Sequence, residues 1–231
     1  MLKINKYSLL QYIHKTNERR YVIFAFSAGL NYKHMKNLKI YSLFFCLTIN
    51  SLYAQQSLSP KALILIDIQD FYFPGGQLPL AGADTAAANA FILLDYFRKE
   101  GGMVVHIKHA YEPGGAIREI VKPTENEKVI IKTEVNAFLN TDLDAYLRSH
   151  GKTELILAGM QTHMCLEAAA RAGHDLGYAC TVIADACATR DLKYGDRIVA
   201  AADVHASTLS TLERTYSRVF TTKDFLTILQ Q

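Results

Sequence analysis

Short apolar runs alternating with helical patterns set what this chain can fold into. The runs are Ala62–Ile66, Met103–Ile107, Val129–Ile131, Leu155–Ala158 and Cys180–Ala184, with a short sixth at Val219–Phe220. None alternates strictly between apolar and polar residues. Each therefore has to be covered on both faces, as the strands of a parallel sheet are. Between them, Asp84 to about Glu100 carries Ala87, Ala90, Phe91, Leu94 and Phe97 at helical spacing, and Gly101-Gly102 stops it. Thr141-Asp142-Leu143-Asp144 has the spacing of a capping box, opening a second helix. Leu166 to Gly177, Asp196 to Leu212 and Lys223 to Leu229 complete the expected helices. The fold class is α/β: a parallel sheet with helices on both faces. Residues 111–126 form a loop long enough to be expected to be functional or mobile.

Chemistry concentrates where the strands end. Gly159-Met160-Gln161-Thr162-His163-Met164-Cys165 lies between an apolar strand and a helix, which places Cys165 near a first helical turn. Unpaired N–H groups and the positive end of the helix dipole converge there and favour a thiolate. Asp67 ends the first strand and Lys132 the third. In an open parallel sheet, ligands bind outside the carboxyl ends of the strands, so Asp, Lys and Cys meet on one edge. Cys165 is the candidate nucleophile and Asp67 the candidate general base and proton shuttle. A cation beside the thiol should bring its pKa below the free value of about 8.5.

Three motifs in order carry a resemblance: Asp67, Gln69 and Asp70-Phe71; Lys132 with Asn136-Ala137-Phe138; and Gly159 to Cys165. From about Lys61 to Phe225 the chain resembles the isochorismatase-like cysteine hydrolases. The resemblance implies a doubly wound six-stranded parallel sheet in a Rossmann-like three-layer arrangement, Lys132 as third member of a Cys-Asp-Lys triad, and a cis peptide between Met160 and Gln161. The backbone of Met160, Gln161 and Thr162 is then the candidate oxyanion turn. Gln69, Phe71, Tyr72, Lys108, His109 and Phe138 are the candidate pocket residues, with Asp185 and Thr189 at the pocket or a subunit contact. Nicotinamidases, similar in fold, place an Asp-x-His metal site after strand two. Here that stretch is His106-Ile107-Lys108-His109, without an aspartate and with a repelling lysine, so no metal and no cofactor are expected. His163 and His205 read simply as helix residues.

The first part of the chain differs in kind. Met35-Lys36-Asn37-Leu38-Lys39, an apolar run from Ile40 to Ile49, and Ser51-Leu52-Tyr53-Ala54 have the layout of a secretory signal peptide. Residues 35–54 are read as this signal, 1–34 as an upstream extension and 58–231 as the hydrolase domain. The protein is expected to be exported, periplasmic or secreted, touching a membrane only through an uncleaved leader. Residues 1–54 hold eight of the 25 basic and one of the 22 acidic residues, which turns a whole-chain charge of +3 into −4 for the remainder. The basic balance thus belongs to the leader and gives no support for nucleic-acid binding. Cys180 and Cys187 flank one strand, roughly 23 Å apart and beyond disulfide reach, so the domain shows no disulfide framework.

The expected activity is cleavage of a small amide or related acyl substrate through a thioacyl-enzyme, by a homo-oligomer (dimer or tetramer). A vinyl ether hydrolase of isochorismate type is one alternative, although relatives of that type do not need the cysteine. A non-catalytic binding or redox-sensing protein on the same fold is the other.

Overall fold

The computed structural model describes residues 58–230 in full, and Leu10–Thr16 and Arg19–Ala25 by their backbone. The chain divides into two units, Met1–Thr48 and Ile49–Gln231. In the first, Leu10–Thr16 and Arg19–Ala25 pair as an antiparallel hairpin. The expected signal peptide at 35–54 lies outside the described residues.

The second unit is built on six strands: β1 (Lys61–Ile66), β2 (Met103–His109), β3 (Lys128–Lys132), β4 (Glu154–Met160), β5 (Ala179–Ala188) and β6 (Ser217–Phe220). They pair in the order β6-β5-β4-β1-β2-β3, every pair parallel. The chain builds outward from β1 to β3, then returns to lay β4 on the other side of β1. That reversal makes a switch point between β1 and β4, where a crevice opens at the carboxyl ends.

The helices are α1 (Ala83–Lys99), α2 (Leu143–Ser149), α3 (Glu167–Asp175), α4 (Ala201–Thr215) and α5 (Thr222–Leu229). Successive strand side chains point to opposite faces, so β1 feeds two cores. Leu63 and Leu65 pack with Leu93, Leu94 and Phe97 of α1 and Phe225 of α5. Ala62, Ile64 and Ile66 pack with Leu143 and Leu147 of α2, Ala169 and Ala170 of α3 and Leu212 of α4. The apolar runs are continuous because both faces are covered. Leu93, Leu94 and Phe97 are fully buried, and each such side chain contributes roughly 1.5–3 kcal/mol.

Three local expectations are corrected. Asp196 does not start a helix: Leu192–Tyr194 and Arg197–Val199 form a hairpin, and α4 begins only at Ala201. Gly195, φ +58°, takes the left-handed first position of its two-residue turn, which glycine alone adopts without a Cβ penalty. The capping box does not close either. Thr141 Oγ1 accepts from Leu143 N at 3.3 Å, while Asp144 turns to Arg148 and Tyr178. Arg148 lies one turn further along the same helix and Tyr178 just before β5, so a competing local ion pair and a tertiary contact together draw the carboxylate away from the cap. Cys180 and Cys187 both fall inside β5, longer than expected, and are free thiols.

Residues 111–126 are stitched to the segment after β1. Gly114 O, Ala116 O and Arg118 N bond Phe71 N, Asp70 N and Ile68 O at 2.9–3.0 Å. The buried Gln69 side chain reinforces this, donating to His109 O and Gly115 O and accepting from His109 N.

Candidate active site

Asp67 leaves the end of β1 with φ +49°, a left-handed conformation that costs a non-glycine residue about 1–2 kcal/mol. Its N–H is held by Ile107 O at 3.0 Å. On β1's other flank, Ile66 pairs with Gly159. Gly159 has φ +131°, and a Cβ there would collide with the Ile66 carbonyl oxygen. The glycine therefore lets β4 approach the strand end that carries Asp67. After β4 the Met160–Gln161 peptide is cis, and Thr162–Leu166 forms a wide turn closed by Leu166 N to Gln161 O at 3.3 Å. Cys165 lies in this turn, just before α3.

β3 supplies the cation. His109 pairs with Lys132 across β2 and β3, so both strand ends face the switch point. Lys132 Nζ lies 2.8 Å from Asp67 Oδ2 and 3.3 Å from Cys165 Sγ. It also approaches His109 Nδ1 and Glu134 O, each at 3.1 Å. The Asp67 and Lys132 side chains are fully buried, and Cys165 is 5% exposed. Lys132 meets Asp67 off the hydrogen-bonding direction, so neither carboxylate oxygen has an aligned donor. A base with open lone pairs, an ion-pair partner and a thiol therefore share one closed space.

The electrostatics correct the expectation of an acidic thiol. Burial, reinforced by the Asp67 charge, pushes Cys165 up to about 12, and the nearby Lys132 offsets only part of it. Burial likewise raises Asp67 above the usual carboxylate range, against the pull of Lys132. The resting nucleophile is a thiol facing a strengthened base. The free-helix argument missed desolvation, which outweighs a helix start when a group is this enclosed. Burial and Lys132 hold the His109 pKa down, so a neutral ring can accept from Nζ.

Residues 61–222 match the family described as Isochorismatase domain. The chain belongs to the isochorismatase family. Family membership makes the protein a hydrolase and implies a small-molecule substrate. The isochorismatase family protein YddQ of Bacillus subtilis is 42% identical over 176 residues, spanning 71% of this chain and 98% of that protein. The ureidoacrylate amidohydrolase RutB of Caulobacter segnis is 27% identical over 208 residues, 71% of this chain and 83% of that protein. The crystal structure of an isochorismatase from Pseudomonas putida KT2440 superposes with a TM-score of 0.70 at 36% identity, covering 72% of this chain and 90% of that one.

Within this isochorismatase-family site the other expected residues separate. Tyr72 joins the turn: its hydroxyl accepts from Gln161 Nε2 at 3.2 Å, and burial lifts it to about 12. Phe71 packs between Tyr72 and Tyr111, with ring centroids 4.1 and 4.4 Å away. Gln69, expected in the pocket, is instead the buried buckle described above. Lys108 is half-buried and alternates to the face opposite His109. Phe138 packs on Tyr178 at 6.0 Å and against Gly173 in the α3 layer. Asp185 accepts from Thr222 N and Oγ1 at the start of α5. His106 bonds Glu127, itself held by Arg98. Among the described residues no group of three or more His, Cys, Asp or Glu side chains could hold a metal ion.

Sequence reasoning missed the contacts of His163 and His205, which bond Thr189 and Thr162. It also missed Glu134, whose carbonyl completes the Lys132 set. No periodicity signals such contacts, because they depend on register and on the path of the turn.

Proposed function

We propose that the protein is a cysteine hydrolase that cleaves a small amide or related acyl substrate through a thioacyl-enzyme. The observation that carries this is Lys132 Nζ bridging Asp67 Oδ2 at 2.8 Å and Cys165 Sγ at 3.3 Å in a buried site. A thiol at about 12 is unreactive until its proton moves. Asp67 takes that proton as Sγ attacks the carbonyl carbon, so thiolate forms with the bond and not before it. The ion pair with Lys132 holds the carboxylate in place and limits the rise of its pKa. The backbone of Met160, Gln161 and Thr162, with the Cys165 N–H, would receive the oxyanion. The C–N bond breaks as Asp67 returns the proton to the leaving amine. A water, deprotonated by Asp67, then cleaves the thioester and restores the thiol. Near-complete burial of all three side chains favours a slim acyl group, and the likeness to an amidohydrolase supports the amide.

The test is mass spectrometry of the intact protein after brief mixing with a panel of small amides. An acyl mass on Cys165 that decays in water, and is absent from Cys165→Ala, is the expected result. Turnover of any of these amides by Cys165→Ala at a tenth of the wild-type rate or more would remove the covalent route. The proposal includes export by the leader at 35–54, and N-terminal sequencing of the native protein near Gln55 tests it.

A further inference from the structure

Within the turn that carries Cys165, Gln161 O accepts from Met164 N at 3.0 Å and from Leu166 N at a longer 3.3 Å. Two side-chain hydrogen bonds grip the turn from different elements. Thr162 Oγ1, in a fully buried residue, lies 2.9 Å from His205 Nδ1, which reaches in from α4. The next residue, His163, places Nδ1 2.6 Å from Oγ1 of buried Thr189, one residue past β5. Thr189 is itself anchored, accepting from Ala81 N at 2.9 Å. The pairs are crossed: in one the turn supplies the threonine, in the other the histidine. Burial lowers both histidine pKa values; for His163, Arg190 adds to this and Glu167 opposes it. Both rings are then neutral near pH 7 and can pair with a hydroxyl. Cys165 follows two and three residues later, so the pairs fix its approach to Lys132.

We infer that His205–Thr162 and His163–Thr189 are positioning pairs that hold the Cys165 thiol against Lys132 and Asp67. For turnover the inference rests on the cysteine-hydrolase reading. For thiol reactivity it stands alone, because alkylation needs no substrate.

The experiment follows iodoacetamide alkylation of the Cys165 peptide, at fixed pH, alongside thermal stability. His205→Leu and Thr189→Val should each slow alkylation about tenfold, the effect of losing one buried hydrogen bond, because Sγ drifts from the cation that favours its thiolate. His205→Asn keeps a polar atom at the δ position and Thr189→Ser keeps the hydroxyl, and both should recover most of the rate. Thr162→Val combined with His205→Leu should be no slower than the slower single variant, since the two share one bond. If His205→Leu fails to fold, the near-isosteric Thr162→Val alone reads the same bond. Unchanged or faster alkylation, no recovery with the conservative variants, or losses that multiply in the double variant would each overturn the inference. A wild-type protein that turns over no amide would count against the hydrolase reading and leave this test standing.

Discussion

At Lys132 Nζ, three hydrogen-bond partners, Cys165 Sγ, His109 Nδ1 and Glu134 O, match the three hydrogens, and Asp67 Oδ2 lies 2.8 Å away as the ion-pair partner. The ammonium is saturated, and its position is over-determined from both strand ends. Replacing Cys165 with Ala deletes one small group and leaves the ion pair intact. Turnover should vanish while the melting temperature stays within a few degrees; activity above a tenth of wild type would exclude Cys165 as nucleophile. Lys132→Met is a harsher change, because it strands a buried carboxylate, a loss of about 3–5 kcal/mol when one partner of such a pair is removed. Lys132 is the group that pulls the Cys165 pKa down. Without it the thiol pKa should climb further, and alkylation near pH 8 should slow about tenfold per unit of rise. A pH titration of the alkylation rate in both proteins checks this; an unchanged or lowered value would make Lys132 a structural residue only. Asp67 and Lys132 were legible in the sequence because each ends an apolar run, and Cys165 because it stands between a strand and a helix, while the role of Lys132 came from the family resemblance. The thiol's pKa was not legible, because burial is a property of the assembled site.

Elements set how closely those residues converge. The strand order places β1 and β4 side by side, and Gly159 lets them touch where Asp67 leaves the sheet. Gly159→Ala adds a methyl against the Ile66 carbonyl and asks an L residue to hold φ +131°. Such backbone conformations cost of order 1–3 kcal/mol each, and here the relaxation would displace Asp67. The expected outcome is a lower melting temperature together with a kcat reduced at least tenfold. Wild-type kcat in a folded Gly159→Ala protein would mean that the strand ends have room to spare. Most elements were readable: α1 runs Ala83–Lys99 against an expected Asp84 to Glu100, since seven of its residues are buried at helical spacing. The hairpin after β5 was missed because its strands are only three residues long, although Tyr194, Ile198 and Val199 are strand-favouring residues. They are exposed, so no burial pattern disciplines them. The role of Gln69 was also hidden: its partners, His109 and Gly115, are 40 and 46 residues away.

At the scale of the whole molecule, the described residues include three buried thiols, Cys165, Cys180 and Cys187, which the fold keeps neutral. Burial pushes Cys180 and Cys187, both in β5, up to about 12, as it does Cys165 in the site. In the unfolded chain each would titrate near 8.5. Between about pH 8.5 and 12 the folded state therefore holds more protons than the unfolded state, and stability falls as pH rises. Each thiol contributes about 1.4 kcal/mol per pH unit in that window. Below pH 8 all three are protonated in both states and the effect is absent. Tyr72, lifted to about 12 by burial, adds the same sign from about pH 10 upward. The melting temperature should thus be flat from pH 7 to 8 and drop steeply from pH 9 to 11. Cys180→Ala removes one thiol that lies outside the Asp67–Lys132–Cys165 set. It should lower the melting temperature at pH 7, through the small cavity it leaves, yet flatten the alkaline slope by roughly a third where the three thiols dominate. Differential scanning calorimetry across that range, on both proteins and with reductant present, reads the slope directly. Parallel slopes in wild type and Cys180→Ala would show that this thiol is not held neutral by the fold, and that the β5 core admits water where its apolar neighbours close around it.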